Sequence, residues 1–252
     1  MADEKRFAVL IDAENVSEKY IKFILDEISN DGVATIKRIY GDWTKTIMTS
    51  WKSVLLDNSI TPIQQYSYTT GKNATDSAMI IDAMDILYSG NIDGFCLVSS
   101  DSDFTRLASR LRESGMVVVG MGEKKTPNPF IAACNKFKYL EVLAQDAIPA
   151  DDAHEETQDH LAGLDHTSLD AVRNTVLTIV QETSDDDGWA SLGDIGNILT
   201  KRYPDFDVRN YGFRKLTPFI KSLKIFDIRS VRGKDGHVSI IYVKEKEHEQ
   251  GR

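Results

Sequence analysis

Short apolar runs that end in acids constrain this chain more than any other feature. Phe7-Ala8-Val9-Leu10-Ile11 runs straight into Asp12, and Phe95-Cys96-Leu97-Val98 passes through Ser99-Ser100 into Asp101-Ser102-Asp103. Runs this short and continuous suit central strands of a parallel sheet covered on both faces. Between them lies helical spacing, with Tyr20, Ile21, Ile24, Leu25 and Ile28 as the first instance and Ser17 as its expected cap. Strands alternating with helices of about ten to fifteen residues imply right-handed βαβ crossovers. The expected fold class is therefore α/β, a mostly parallel sheet with helices on both faces. Ligands of such sheets sit beyond the strand carboxyl ends, where Asp12, Asp101 and Asp103 fall.

Further along, strands are expected over 34–40, 60–66, 95–99 and 116–121, the last of the sheet, and helices over 45–58, 75–89 and 104–114. A helix or two over 128–143 closes the first domain, taken as residues 1–143. Residues 144–166 have little apolar periodicity and read as a loosely ordered linker. Periodicity resumes at Ser168, giving one helix, a second through Leu192 to Tyr203 with Ser191 as its cap, and a third over Tyr211 to Leu223. Strands Ile225 to Val231 and Val238 to Val243 then pair across Arg232-Gly233-Lys234-Asp235-Gly236. Three helices and a hairpin make a small winged helix-turn-helix over 167–245, leaving a tail at 246–252.

A net charge of -9 argues against nucleic-acid binding only if it is evenly spread. Residues 1–143 hold 16 basic and 19 acidic side chains, 144–166 hold none and 7, and 167–252 hold 14 and 13, so the linker carries most of the excess. Within 201–234, ten basic residues face three acidic ones. That surplus fits phosphate contacts, though a solvated face balancing the acidic linker explains it too. No apolar run approaches a membrane span and the N-terminus has no signal-peptide core, so a cytoplasmic protein without membrane contact is expected. Cys96 and Cys134, each in an apolar pattern, are expected to be reduced core residues.

Asp76 gives the sharpest test of whether the acids converge. Met79, Ile80, Ala83 and Leu87 share its helix face at a period of about 3.6 residues, so this acid lies inside the apolar arc and needs a partner there. Asp85 falls on the opposite face and Asp82 between the two. As a first-turn acid, Asp76 also fits a plain helix cap. Carboxylates gathered at one end of a sheet repel one another unless a divalent cation neutralises them. All five histidines lie beyond residue 153, away from these acids. An oxygen-only donor set suits Mg²⁺ or Mn²⁺, ions that promote attack of water on a phosphodiester. The chain has no Gly-rich P-loop, which disfavours nucleotide-triphosphate hydrolysis. Asp101 is the stronger ligand candidate of its pair, with Asp103 or Ser102 expected to cap the following helix. Asn15 is placed to position Asp12 or a water, and Lys72 and Asn73 to reach a phosphate. Lys45, Lys52, Lys124 and Lys125 extend a basic rim, and Tyr40, Trp43, Tyr66 and Tyr68 are candidates for base stacking or for the core.

Val9-Leu10-Ile11-Asp12-Ala13-Glu14-Asn15, Gly71-Lys72-Asn73-Ala74-Thr75-Asp76 with Asp82, and Ser99-Ser100-Asp101-Ser102-Asp103-Phe104 together resemble the NYN domain of the PIN-like nuclease superfamily, in its bacterial LabA-like branch. The resemblance covers residues 7 to about 143. It implies a Rossmann-like domain in which Asp12, Asp76, Asp101 and Asp103 hold Mg²⁺ or Mn²⁺ and cleave RNA, with Asn15 as the polar partner after the first strand. Tyr203-Pro204, Tyr211-Gly212-Phe213 and Lys215-Leu216 resemble an OST-HTH/LOTUS domain, over about 168–244. That family implies RNA binding for some members and a protein partner for others. Arg209, Arg214, Lys215, Lys221, Arg232 and Lys234, in the expected third helix and wing, favour RNA. The expectation is a metal-dependent ribonuclease with a second, RNA-holding domain. The alternative is a non-catalytic regulator whose LOTUS domain binds a protein; a phosphatase on a similar sheet is a third possibility.

Overall fold

A computed structural model of the chain describes residues 4–66, 74–146, 167–232 and 239–246. It divides into two compact units, Met1–Glu156 and Thr157–Arg252.

The first unit is a six-stranded, wholly parallel sheet. Its strands are β1 (Arg6–Asp12), β2 (Val33–Gly41), β3 (Thr61–Gln64), β4 (Gly94–Val98), β5 (Val117–Gly122) and β6 (Lys136–Tyr139), in the spatial order β3-β2-β1-β4-β5-β6. The order reverses direction between β1 and β4, which opens a crevice at their carboxyl ends. Connecting helices are α1 (Ile21–Ser29), α2 (Trp51–Asp57), α3 (Ala74–Ser89), α4 (Thr105–Glu113), α5 (Asn128–Ala133) and α6 (Leu140–Asp146). Alternate residues of the central strands serve opposite faces, as a period of two dictates. Ala8, Leu10, Phe95, Leu97 and Val118 pack with Met79, Ala83 and Ile86 of α3 and Leu107 and Leu111 of α4. Phe7, Val9, Ile11, Cys96, Val98 and Val119 pack with Ile21, Ile24 and Ile28 of α1 and Leu140 of α6. Burial on both faces is why these strands read as unbroken apolar runs. Both cysteines are buried free thiols.

Several boundaries differ from the sequence expectation. The expected last strand, 116–121, is followed by a sixth, β6, inside the stretch expected to be helical. Its Lys-Phe-Lys-Tyr alternates strictly. Phe137 and Tyr139 enter the core while Lys136 and Lys138 pair with Asp31 and Glu27 at the end of α1. The helix expected over 45–58 is a 3-10 segment, Thr46–Ser50, leading into a shorter α2. Ser17 precedes a 3-10 turn, Glu18–Tyr20, and makes no side-chain cap bond. Gly90, at φ 70°, ends α3 in the left-handed region as expected of it.

The second unit comprises α7 (Leu169–Thr183), β7 (Ala190–Ser191), α8 (Leu192–Arg202), α9 (Leu216–Ser222), β8 (Phe226–Arg232) and β9 (Ser239–Glu245). The strands form an antiparallel sheet in the order β7-β9-β8. Ser168 caps α7 by accepting from the Ala171 amide, whereas Ser191 at the start of α8 makes no side-chain cap bond. The expected third helix over 211–223 is interrupted: Val208–Tyr211 is a 3-10 turn closed by Gly212 at φ 79°, and α9 starts only at Leu216. Pro218 then sits in the first turn of α9, where a missing N–H costs no helical bond. Phe206, Tyr211, Phe213 and Phe219 form the aromatic heart of this core, with centroids 5.1–6.2 Å apart. Tyr211 and Asp205 tie it to the start of the unit, the phenol donating to the Thr167 carbonyl at 2.6 Å and the carboxylate accepting from the Thr167 amide and hydroxyl.

Candidate active site

Parallel pairing of β1 with β4 matches Ile11 to Val98, so the next residues along, Asp12 and Ser99, emerge side by side at the sheet's carboxyl edge. Asp12 is almost fully buried. Its Oδ1 accepts from the Glu14 amide at 3.0 Å, and its Oδ2 accepts from Asn15 Nδ2 and Ser99 Oγ, both at 2.8 Å. Burial pushes its carboxyl up, and these hydrogen bonds work in the opposite direction. Ser99, also buried, accepts the Asp101 amide on the same hydroxyl at 3.1 Å. One side chain thus connects the acid ending β1 to the acid following β4. Gly122 permits this packing, since a Cβ there would lie 2.6 Å from the Ser99 carbonyl oxygen. The Ser100 hydroxyl accepts the Glu123 amide at 2.8 Å and fixes the neighbouring strand end.

Asp101 is the cap, in place of the expected Asp103 or Ser102. Its Oδ1 accepts the Asp103 amide at 2.9 Å, because a 3-10 turn, Ser102–Phe104, precedes α4 and moves the cap position back to Asp101. Asp103 is exposed in the first turn. Across from them, Asp76 is half-buried in the first turn of α3, the helix whose apolar arc pointed it inward. One carboxylate oxygen from each of Asp76, Asp101 and Asp103 lies within 4.8 Å of the others. Burial first, then the charges of Asp12, Asp101, Asp103 and Glu14, raise the Asp76 carboxyl from 3.8 to about 6.

Asp12, Asp76, Asp101 and Asp103 therefore share one end of the sheet, with the last three tightly grouped and Asp12, held by Asn15, near enough for its charge to act on Asp76. Asp82 is elsewhere, paired with the Arg38 guanidinium and the Tyr40 hydroxyl. Those contacts make Tyr40 a core residue and remove it from the stacking candidates; the ring is fully buried. The Trp43 indole donates to the Ile63 carbonyl at 3.0 Å, and Tyr66 is exposed. Lys45 pairs with Glu14 and Lys125 with Glu123. Lys72, Asn73, Tyr68 and Lys234 lie outside the described residues, as does the side chain of Arg232. Arg214, Lys215 and Lys221 are exposed, whereas Arg209 turns back to chelate Asp207, with contacts of 3.0 and 2.7 Å.

Sequence reasoning missed Ser99. Its signal, a polar residue directly after an apolar run, was present in the sequence but is shared by many strand ends.

Three hard-oxygen donors within 4.8 Å fit a small divalent cation, whose opposite ligands stand roughly 4.2 Å apart when each bond is about 2.1 Å. Among the described residues, no other group of three or more such side chains meets this spacing. No described helix is long and apolar enough to cross a membrane.

A search of curated proteins gave no match. Among solved structures, the chain is similar to a protein of unknown function from Vibrio parahaemolyticus, at 17% identity and a TM-score of 0.46, covering 55% of this chain and 94% of that one. It is also similar to an uncharacterized protein from Nitrosomonas europaea, at 30% identity and a TM-score of 0.31, covering 42% and 91%. An OST-HTH/LOTUS domain model matches residues 167–238. An NYN domain model matches residues 6–141, more than half of the chain. With that sheet order, that acidic group and both matches in sequence, the chain belongs to the NYN domain family, carries an OST-HTH/LOTUS domain after it, and has a nuclease-like, RNA-associated character.

Proposed function

We propose that the protein is a metal-dependent ribonuclease whose first unit hydrolyses RNA phosphodiesters and whose second unit holds RNA. The observation carrying this reading is the convergence of Asp76, Asp101 and Asp103 from two separate elements at the crevice of a parallel sheet. The half-buried Asp76 carboxyl, raised to about 6 by its neighbours, marks a place where negative charge is in excess. Asp76, Asp101 and Asp103 would hold Mg²⁺ or Mn²⁺, with Asp12 contributing charge. When bound, such an ion supplies positive charge to the phosphate and the departing oxygen and makes water a better nucleophile. The protein's own part is positional. Asn15 and Ser99 hold Asp12 Oδ2 while the Glu14 amide holds Oδ1, and the Asp101 amide, held by Ser99, sets where the second acid points. Overall, water oxygen bonds to phosphorus, the P–O ester bond breaks, and the leaving oxygen takes a proton.

In this reading the second domain, by holding RNA, raises its concentration for the first, and the negative charge of the sequence joining the two domains discourages RNA from binding there. The deciding experiment incubates the purified chain with single-stranded and structured RNA in Mn²⁺, Mg²⁺ or EDTA. Cleavage in the metals, abolished by EDTA and by Asp101→Asn, supports the reading. Cleavage that persists in EDTA or in that variant sinks it, and no cleavage under any condition favours the non-catalytic regulator.

A further inference from the structure

In the second unit, a groove of about 820 Å³ runs between α7 and the start of β8 beside the end of β9. This lies within the range of roughly 300–1,000 Å³ typical of ligand sites. Arg173 of α7, Lys224, Lys244 and Lys246 line it, and so does Trp189. Asp227 and Glu245 also line it, but Asp227 stands opposite Lys244 in the β8–β9 register and Glu245 accepts from Gln181 at 3.1 Å. The balance is cationic. Trp189 is braced by Arg229, whose guanidinium carbon lies 4.2 Å from the indole centroid and 5.4 Å from that of Tyr242, without itself lining the groove.

The backbone at Lys224 makes glycine a usable replacement there. Lys224 follows Leu223, the C-cap of α9, at φ 61°, the position where helices usually place glycine. A lysine there carries backbone strain that glycine would not.

We propose that this groove, rather than the third helix and wing alone, holds a single strand of RNA, with a base stacked on Trp189 and phosphates met by Arg173, Lys224, Lys244 and Lys246. An aromatic wall combined with cations is the physics of sequence-tolerant single-strand binding. The proposal rests on the reading that the chain acts on RNA.

The test uses the full chain in EDTA, with a fluorescein-labelled oligouridylate followed by anisotropy. Lys224→Gly and Arg173→Glu are each expected to weaken binding about tenfold and to flatten its salt dependence, with Lys224→Gly melting no lower than the parent. Parental affinity in both variants overturns the groove while leaving the ribonuclease reading intact. Displacement of the RNA by an oligoglutamate peptide that binds more tightly assigns the groove to a protein partner and also overturns it. A parent chain that binds RNA but never cleaves it leaves the groove standing and removes the nuclease reading instead.

Discussion

The Ser99 hydroxyl donates to Asp12 Oδ2 at 2.8 Å across the junction of β1 and β4, the place where the sheet's strand order reverses. Because the same oxygen accepts the Asp101 amide, the hydroxyl is the mechanical link between two acids 89 positions apart in the chain. Ser99→Ala removes a satisfied buried bond from Asp12 and strands the Asp101 amide. We expect a stability loss of about 1–2 kcal/mol and a fall in RNA cleavage of roughly tenfold, with the metal concentration for half-maximal rate rising. Thermal melts and metal titrations of the cleavage rate measure both. An unchanged metal requirement would show that Ser99 does not govern the acids.

Asp101→Asn separates the two duties of this residue. Asparagine caps a helix start as well as aspartate does, so the melting temperature should stay near the parent's. Cleavage should drop by about a hundredfold or more, because the charge is lost.

The pH dependence follows from Asp76. Its carboxyl sits near 6 in the folded chain against 3.8 ordinarily. Below about pH 4 it is protonated whether folded or not, and its burial costs nothing. As pH rises through about 6, the unfolded chain gives up this proton more readily than the folded one, so the metal-free protein loses stability. Solvent screening of this half-buried group limits the loss to about 1 kcal/mol. In EDTA, melting temperature should decline between about pH 4 and 7, and Asp76→Asn should flatten that decline. Differential scanning fluorimetry across this range, with the variant alongside, checks the sign.

Cation binding should reverse the same effect. Adding Mn²⁺ at pH 8 should raise the melting temperature by a few degrees, about the shift that 1 kcal/mol produces, and Asp76→Asn should abolish most of that rise. A rise of equal size in a variant lacking both Asp76 and Asp101 would place the ion elsewhere.

Asp82 is expected to behave oppositely to the site acids. Asp82→Ala leaves the Arg38 guanidinium and the Tyr40 hydroxyl without their shared acceptor, which should cost about 2 kcal/mol of stability. Cleavage per folded molecule should be unchanged. A chemical denaturation curve paired with an activity assay below the transition distinguishes this from a catalytic loss.

The site acids were legible because each stands at a discontinuity. Asp12 and Asp101 end apolar runs, and Asp76 interrupts an apolar helix face, so their chemistry contrasts with their neighbours. Asp82 was only half legible. Its partners lie 44 and 42 positions upstream on β2, and no local pattern announces such a pairing. The β6 strand was hidden because four alternating residues sit between Ala133 and Leu140, both of which fit a helical spacing; the ion pairs to α1 that reveal its outer face are long-range. The third helix of the second unit was overextended because Tyr211, Leu216, Phe219 and Ile220 keep an apolar rhythm through Gly212, whose positive φ breaks the helix. Local periodicity records burial; it does not record whether the backbone between buried residues is continuous.

Both thiols of the chain belong to the first unit, Cys96 on the central strand β4 and Cys134 between α5 and β6, and burial pushes both toward their neutral, unreactive form, Cys134 up to about 12. The second unit has none. Alkylation by a thiol reagent is thus a clock set by the opening of the nuclease-like unit alone, and the chain carries, without engineering, a label that reports on one of its halves while staying silent about the other.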